Sequence, residues 1–404
     1  MSWTLSKEHP LKKSWIVAAV GAASLVAAAL ATGLPSASAA PPALHPAHVC
    51  KAVLAQGEAT CHALKMVNDK GVSPASSAPA AGALTPTQVR AAYGLTGNAS
   101  STVAIVDAYG YTNLERDLGV YRSQFGLTAC TVANGCLKIM NQNGGSTLPA
   151  MDLGWAQEQA LDVDAVSATC PGCKILVVQA NSASLADLGA AVNTAASQAG
   201  VVAISNSYGG GDLPDSSYGA AYHHPGIAIT ASTGDNGYKG ASFPASSAWV
   251  TAVGGTSLSM NGTTRVSETV WSGSGSGCSS YNTALSVASA YGTGCSRRAM
   301  ADVSAAANPS TGGLAVYYPS SSTVSTWGQF GGTSESSPII ASVYALAGSG
   351  YSNATPYTQG NASNLHDVTS GSNARHCPVS QWCKARTGWD GPTGLGTPNG
   401  TGAF

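Results

Sequence analysis

Residues 174–206 read KILVVQANSASLADLGAAVNTAASQAGVVAISN. The run Lys174–Ala180 is apolar and of strand length, Ser184–Gln198 reads as a helix, and Val201–Asn206 is a second apolar strand. Apolar strands joined through a helix belong to a parallel sheet covered on both faces. The same alternation continues outward. Thr102–Asp107 (TVAIVD) is a buried strand, Trp155–Ala168 a helix, Gly226–Ala231 and Trp249–Val253 are strands, and Ser334–Leu346 is a closing helix. Thr85 followed by Pro86 reads as a capped helix start with proline at the first helical position. The fold class is therefore α/β: a mainly parallel twisted sheet with helices on both faces. Sites in such sheets lie at the carboxyl ends of the strands, where Asp107, Asn206 and Asp235 fall.

The 404 residues are 44% hydrophobic, enough for a large domain with a real core. Only 9% are charged and the formal net charge is −1, so there is no basic field to attract nucleic acid. So few ionisable groups also limit self-repulsion when carboxylates protonate, which suits an acidic medium. Lys12 and Lys13 precede an apolar run from Trp15 to Ala31, and Ala37-Ser38-Ala39 supplies a small-x-small cleavage site. Residues 1–39 are thus expected to be a signal peptide, leaving a secreted, extracellular chain with no membrane segment. Residues 40–84 read as a short pro-segment or linker, with a helical-looking stretch between Cys50 and Val67 and a linker from Ser73 to Leu84; residues 85–404 read as the main domain. The ten cysteines fall in neighbouring pairs: Cys50/Cys61, Cys130/Cys136, Cys170/Cys173, Cys278/Cys295 and Cys377/Cys383. Sequential disulfides are the simplest of many connectivities. Cys170-Pro-Gly-Cys173 also has the spacing of a redox dithiol or half a zinc site, but no second C-x-x-C accompanies it.

Residues 332–338, GTSESSP, set Ser334 in a small-residue turn that opens a helix. Free backbone N–H groups and positive potential at a helix N-terminus favour an attacking oxygen there. Residues 155–164, WAQEQALDVD, hold Glu158 and Asp162 four apart, on one helical face. Partly buried, two such carboxylates repel, at least one pKa rises, and the pair titrates as a unit. A carboxylate base relaying a serine proton implies acidic operation. Asp235, in TASTGDNG after a strand, donates to an oxyanion only if protonated.

These motifs together resemble the sedolisins, secreted serine-carboxyl peptidases with a subtilisin-like fold. FPASS at 243–247, VAISNSY at 202–208, VGGT at 253–256, ETVW at 268–271 and DVS at 302–304 also match, in order, over about 320 residues from Thr85 to the C-terminus. The resemblance implies Ser334 as nucleophile, Glu158 as general base, Asp162 orienting Glu158, and Asp235 at the oxyanion hole. It implies one calcium ion in the C-terminal segment, held by the side chains of Asp367 and Asp390 and the carbonyls of Val368, Arg386 and Gly388. Arg386 departs from the glycine usual in the family, and its guanidinium would weaken cation binding. The expected function is a monomeric acid endopeptidase acting on protein or peptide substrates. The alternatives are a catalytically silent binding protein on the same fold, or a tripeptidyl-type exopeptidase. A histidine base is disfavoured, because no His-Gly-Thr helix start exists and His62 precedes the domain. Sedolisins carry a long folded pro-domain. The 45 or so residues before Thr85 are too few to hold one, so either the chain folds unaided or the Cys50/Cys61 segment is a reduced pro-piece.

Overall fold

The computed structural model describes residues 43–52, 55–348 and 351–404. The expected signal segment lies outside them. The central sheet has eight strands: β1 (Thr102–Ala108), β2 (Leu137–Asn141), β3 (Lys174–Ala180), β4 (Val201–Asn206), β5 (Ala228–Ser232), β6 (Thr251–Asn261), β7 (Thr264–Val270) and β8 (Val303–Ala306). They run in the order β7-β6-β5-β4-β1-β3-β2, with β8 paired to β6. Every pairing is parallel except β6 with β7. The sequence reading ended β6 at Val253, but the strand runs on, pairing in parallel with β8 from Val253 to Thr256. Beyond Thr256 it continues as an antiparallel hairpin through Asn261 into β7, whose outer residues are exposed and polar.

Five helices cover the sheet: α1 (Pro86–Ala92), α2 (Leu114–Gln124), α3 (Leu153–Thr169), α4 (Leu185–Ala196) and α5 (Thr333–Ala347). Side chains alternate across the strands. Val103, Ile105, Ile175 and Val177 pack with Leu161, Val166, Ile340 and Val343 of α3 and α5. Ala104, Val106, Leu176 and Val178 pack with Leu185, Leu188 and Val192 of α4. The α1 start is a capping box: Gln88 N donates to Thr85 Oγ1 at 3.4 Å and Thr85 N to Gln88 Oε1 at 3.0 Å.

The stretch from Cys50 to Val67 is not helical. Short strands lie at His45–His48, Thr60–Cys61 and Leu64–Val67, and the described residues form one compact unit with them. His45–His48 pairs with Leu64–Val67, while Leu64–Val67 and Thr60–Cys61 are completed by strands from the rest of the domain, a pairing that local sequence does not carry. All five sequential disulfides are present, and no cysteine is free. No described helix is long and apolar enough to cross a membrane.

Asp302, at the mouth of β8, is fully buried and accepts from Arg298 Nη1 and Nη2, from Tyr357 Oη at 2.7 Å and from Ala252 N at 2.7 Å. Removing one partner of such a pair leaves the other buried and unpaired. Asp302→Ala should lower the unfolding free energy by about 3–5 kcal/mol, read from the urea midpoint. A loss below about 1 kcal/mol would mean the pair is not buried as described.

Candidate active site

Four polar residues converge where α5 meets the carboxyl ends of β1, β4 and β5. Gly332 adopts φ +93°, a region that favours glycine, and caps α5; Ser334 is the second residue of that helix. Its Oγ donates to the Ser207 carbonyl at 3.1 Å. Ser207 Oγ donates to Asp162 Oδ1 at 2.8 Å, tying α3 to the end of β4. Glu158 and Asp162 sit on the inner face of α3 and are fully buried, as the four-residue spacing requires. Neither Glu158 oxygen has a hydrogen-bond partner among the described residues, nor has Asp162 Oδ2.

Asp107, the penultimate residue of β1, joins them. It is fully buried and both its oxygens are unpaired. Burial pushes all three carboxyls well above the ordinary range. For Glu158 the charges of Asp162, Asp107 and Asp235 add to burial, while the nearby Ser334 hydroxyl works in the other direction. For Asp107 the second cause is Asp162. Among the described residues no basic side chain pairs with any of the three. Groups so close share protons, so the cluster holds fewer negative charges than carboxyls.

Asp235 follows β5 and faces the start of α5. Its Oδ1 accepts from Thr333 N at 2.7 Å and Thr333 Oγ1 at 2.9 Å, while Oδ2 is unpaired. Burial raises its pKa to about 7 against the opposing pull of both Thr333 bonds. At acidic pH it is a neutral acid with one O–H to give. The sequence-expected Ser334, Glu158, Asp162 and Asp235 are thus brought together. Asn206 is not part of the cluster: its amide donates to the Thr230 carbonyl and its oxygen accepts from Tyr208, which braces β4 against β5.

Sequence reasoning missed His62. It is buried against the site, with Nδ1 2.7 Å from Ser232 Oγ, and burial depresses its pKa to about 3. It is neutral at any moderate pH and bonds Ser232 rather than Ser334, so it does not take the place of Glu158. Glu335 was also missed. It follows Ser334 in the chain, is fully buried, and has both oxygens unpaired. Its position next to a candidate nucleophile in a helix first turn was a usable signal.

The C-terminal residues Asp367, Val368, Arg386, Gly388 and Asp390 lie in one loop system. Asp390 is buried and accepts from Thr393 N, Thr393 Oγ1 and Arg386 N; Asp367 accepts from Gly388 N at 2.8 Å. Burial brings Asp390 up to about 7, and Asp367 adds to that. No hydrogen bond among the described residues ends on the carbonyls of Val368, Arg386 or Gly388. Two carboxylates and three uncommitted carbonyls are a donor set that fits a hard cation. The Arg386 guanidinium is turned to Gln381 Oε1 at 2.6 Å, so it does not pair with either carboxylate. Among the described residues no group of three or more His, Cys, Asp or Glu offers another metal site.

A family model described as the subtilase family matches residues 140–380, more than half of the chain. Kumamolisin from Bacillus sp. (strain MN-32) is 31% identical over 373 residues, covering 80% of this chain and 63% of that protein. Sedolisin from Pseudomonas sp. (strain 101) is 34% identical over 175 residues, covering 39% of this chain and 28% of that one. The chain thus spans less than two thirds of these relatives' own length. The solved structure of Pseudomonas sedolisin, a serine-carboxyl proteinase complexed with two molecules of pseudo-iodotyrostatin, superposes with a TM-score of 0.65 at 26% identity, over 81% of this chain and 96% of that one. Order of elements, parallel sheet and sequence agree, and the chain belongs to the subtilase family, within its sedolisin-like group.

Proposed function

We propose that the chain is a secreted serine-carboxyl endopeptidase that hydrolyses peptide bonds at acidic pH. The observation that carries this reading is a serine at a helix mouth beside a buried carboxyl cluster that no cation among the described residues neutralises. Ten cysteines paired as five disulfides favour an oxidising, extracellular setting. In this reading the Asp107/Glu158/Asp162 cluster carries one negative charge shared among its carboxyls, and it takes the Ser334 proton at Glu158. Asp162 orients Glu158 and is itself held by Ser207. Ser334 Oγ attacks the peptide carbonyl, and the Asp235 O–H with backbone N–H groups at the α5 start receives the developing oxyanion. Glu158 then passes its proton to the leaving amine, and water hydrolyses the acyl-enzyme by the same route in reverse. A neutral Asp235 is required throughout, so activity belongs below its pKa of about 7.

Ser334→Ala and Glu158→Gln should each lower kcat on casein by about 10⁴-fold or more. Asp235→Ala should lower it by about 10²–10³-fold. Wild-type activity should fall as pH rises through about 7, as Asp235 ionises. Activity that peaks above pH 8 and survives Glu158→Gln would contradict the carboxylate base.

The reading includes one calcium ion held by Asp367 and Asp390 side chains and the carbonyls of Val368, Arg386 and Gly388. It would clamp the loop before Leu395, whose neighbours bond to β8, and so act on stability rather than on the reaction. Calcium at about 100 times its Kd should stabilise the fold by roughly 2.7 kcal/mol, seen as a raised Tm. Asp390→Asn should abolish that response. A Tm indifferent to calcium and to chelator would remove the site.

A further inference from the structure

The groove beside Ser334 is filled by the chain's own N-terminal segment. Thr60–Cys61 pairs antiparallel with the strand Tyr208–Gly211, setting Thr60 opposite Gly209 and Cys61 opposite Tyr208. On the other edge, Glu58 bridges antiparallel to Ser184, Ala59 N donates to the Ala183 carbonyl at 2.8 Å, and Leu185 N to the Gly57 carbonyl at 2.9 Å. The segment Glu58–Cys61 is therefore a middle strand, hydrogen-bonded on both sides. Addition of an extended peptide to an exposed strand edge is a general mode of peptide recognition. Gly210 permits the approach, since a Cβ there would come 2.5 Å from the Glu58 carbonyl oxygen.

The strand delivers one peptide bond to the candidate nucleophile. His62 N donates to the Ser207 carbonyl at 3.1 Å, the same carbonyl that accepts from Ser334 Oγ at 3.1 Å. The His62 carbonyl oxygen lies against Gly332: a Cβ on that glycine would run into it and would also stand 2.7 Å from Asp235 Oδ2, the unpaired oxygen. Beneath this cover Ser334 is fully buried, which no external substrate could tolerate. The Cys50–Cys61 disulfide holds the strand in its extended form next to the bond, and a cavity of ≈ 770 Å³ bordered by His62, Gly209 and Asp235 runs alongside.

We infer that Glu58–His62 is an internal substrate of this site and that His62–Ala63 is the bond it cuts. The inference rests on the peptidase reading above and adds to it the substrate, the register and the bond. Ser334 Oγ forms an ester to the His62 carbonyl carbon as the bond to the Ala63 nitrogen breaks. The hydroxyl proton passes through Glu158 to that nitrogen, which leaves as an amine. Water then cleaves the ester, leaving a carboxyl on His62 and a free Ser334. The cut leaves no covalent link between the two pieces, since the Cys50–Cys61 disulfide lies wholly on one side of it. They are then held by strand pairing, by the His62–Ser232 hydrogen bond and by packing of Ala59 and Cys61, and release of the first piece opens the groove.

The full chain, wild type and Ser334→Ala, is incubated at pH 4 and analysed by intact mass and N-terminal sequencing, with casein cleavage followed in parallel. The expected result is a new N-terminus at Ala63 in wild type, formed at a rate independent of protein concentration, and an uncut Ser334→Ala. Casein cleavage with His62–Ala63 intact, or with the new terminus elsewhere, overturns the inference and leaves the peptidase reading standing. Failure to cut either bond overturns both. As a second test, a synthetic peptide of residues 50–62, closed by its disulfide, should inhibit casein cleavage competitively. Reduction should weaken it about tenfold or more, because the closed loop is preorganised. Non-competitive or absent inhibition by the closed peptide overturns the placement of this segment in the groove.

Discussion

Burial of acidic side chains without cationic partners is the constraint on which this structure turns. Asp107, Glu158 and Asp162 are fully buried where β1, α3 and α5 meet, and the basic residues that lie deep in the protein are committed elsewhere. Arg298 serves Asp302, and Arg122 gives its donors to Thr128, Ser167 and Pro171. An isolated ionised carboxylate in such a place is costly, so the group neutralises instead. The fold thus selects a protonated cluster, and with it the pH range in which a carboxylate can exchange protons with Ser334. Asp235 follows the same rule with a different result: its two bonds from Thr333 restrain the rise and leave it near 7.

Backbone placement does the rest. Ser207 is the pivot, since its hydroxyl holds Asp162 while its carbonyl accepts from both Ser334 and His62. One residue after β4 therefore fixes the orienting acid, the nucleophile and the strand that crosses the groove. Gly332 is the second fixed point. Its positive φ turns the chain into α5, and its missing Cβ makes room for the His62 carbonyl and Asp235 together.

Much of this was legible in the sequence, for physical reasons that differ by element. The strands β1, β3 and β4 are buried on both faces, so their apolar runs announce them. The four-residue spacing of Glu158 and Asp162 places both on one helical face by geometry alone. What failed were features made by partners distant in the chain. Thr60–Cys61 is a strand only because Tyr208–Gly211 receives it, and His62 reaches the site only through that pairing. Polar β7 is not read as a strand from sequence, because its regularity comes from β6 extending beside it. The concern over Arg386 rested on charge alone; its side chain has its own partner in Gln381.

The most direct test of the buried cluster is the pH dependence of stability. A carboxyl whose pKa is raised on folding binds its proton more tightly in the native state than in the unfolded chain. Its stabilisation is fully present below the unfolded pKa and is lost as pH climbs through the folded one. Urea unfolding free energies of the wild type should therefore fall from pH 4 to pH 7, and Glu158→Gln, which cannot ionise, should show a shallower fall. A stability that rises over that range, with no difference between the two proteins, would mean that the carboxyls are ionised and compensated in the native state, and would contradict the account.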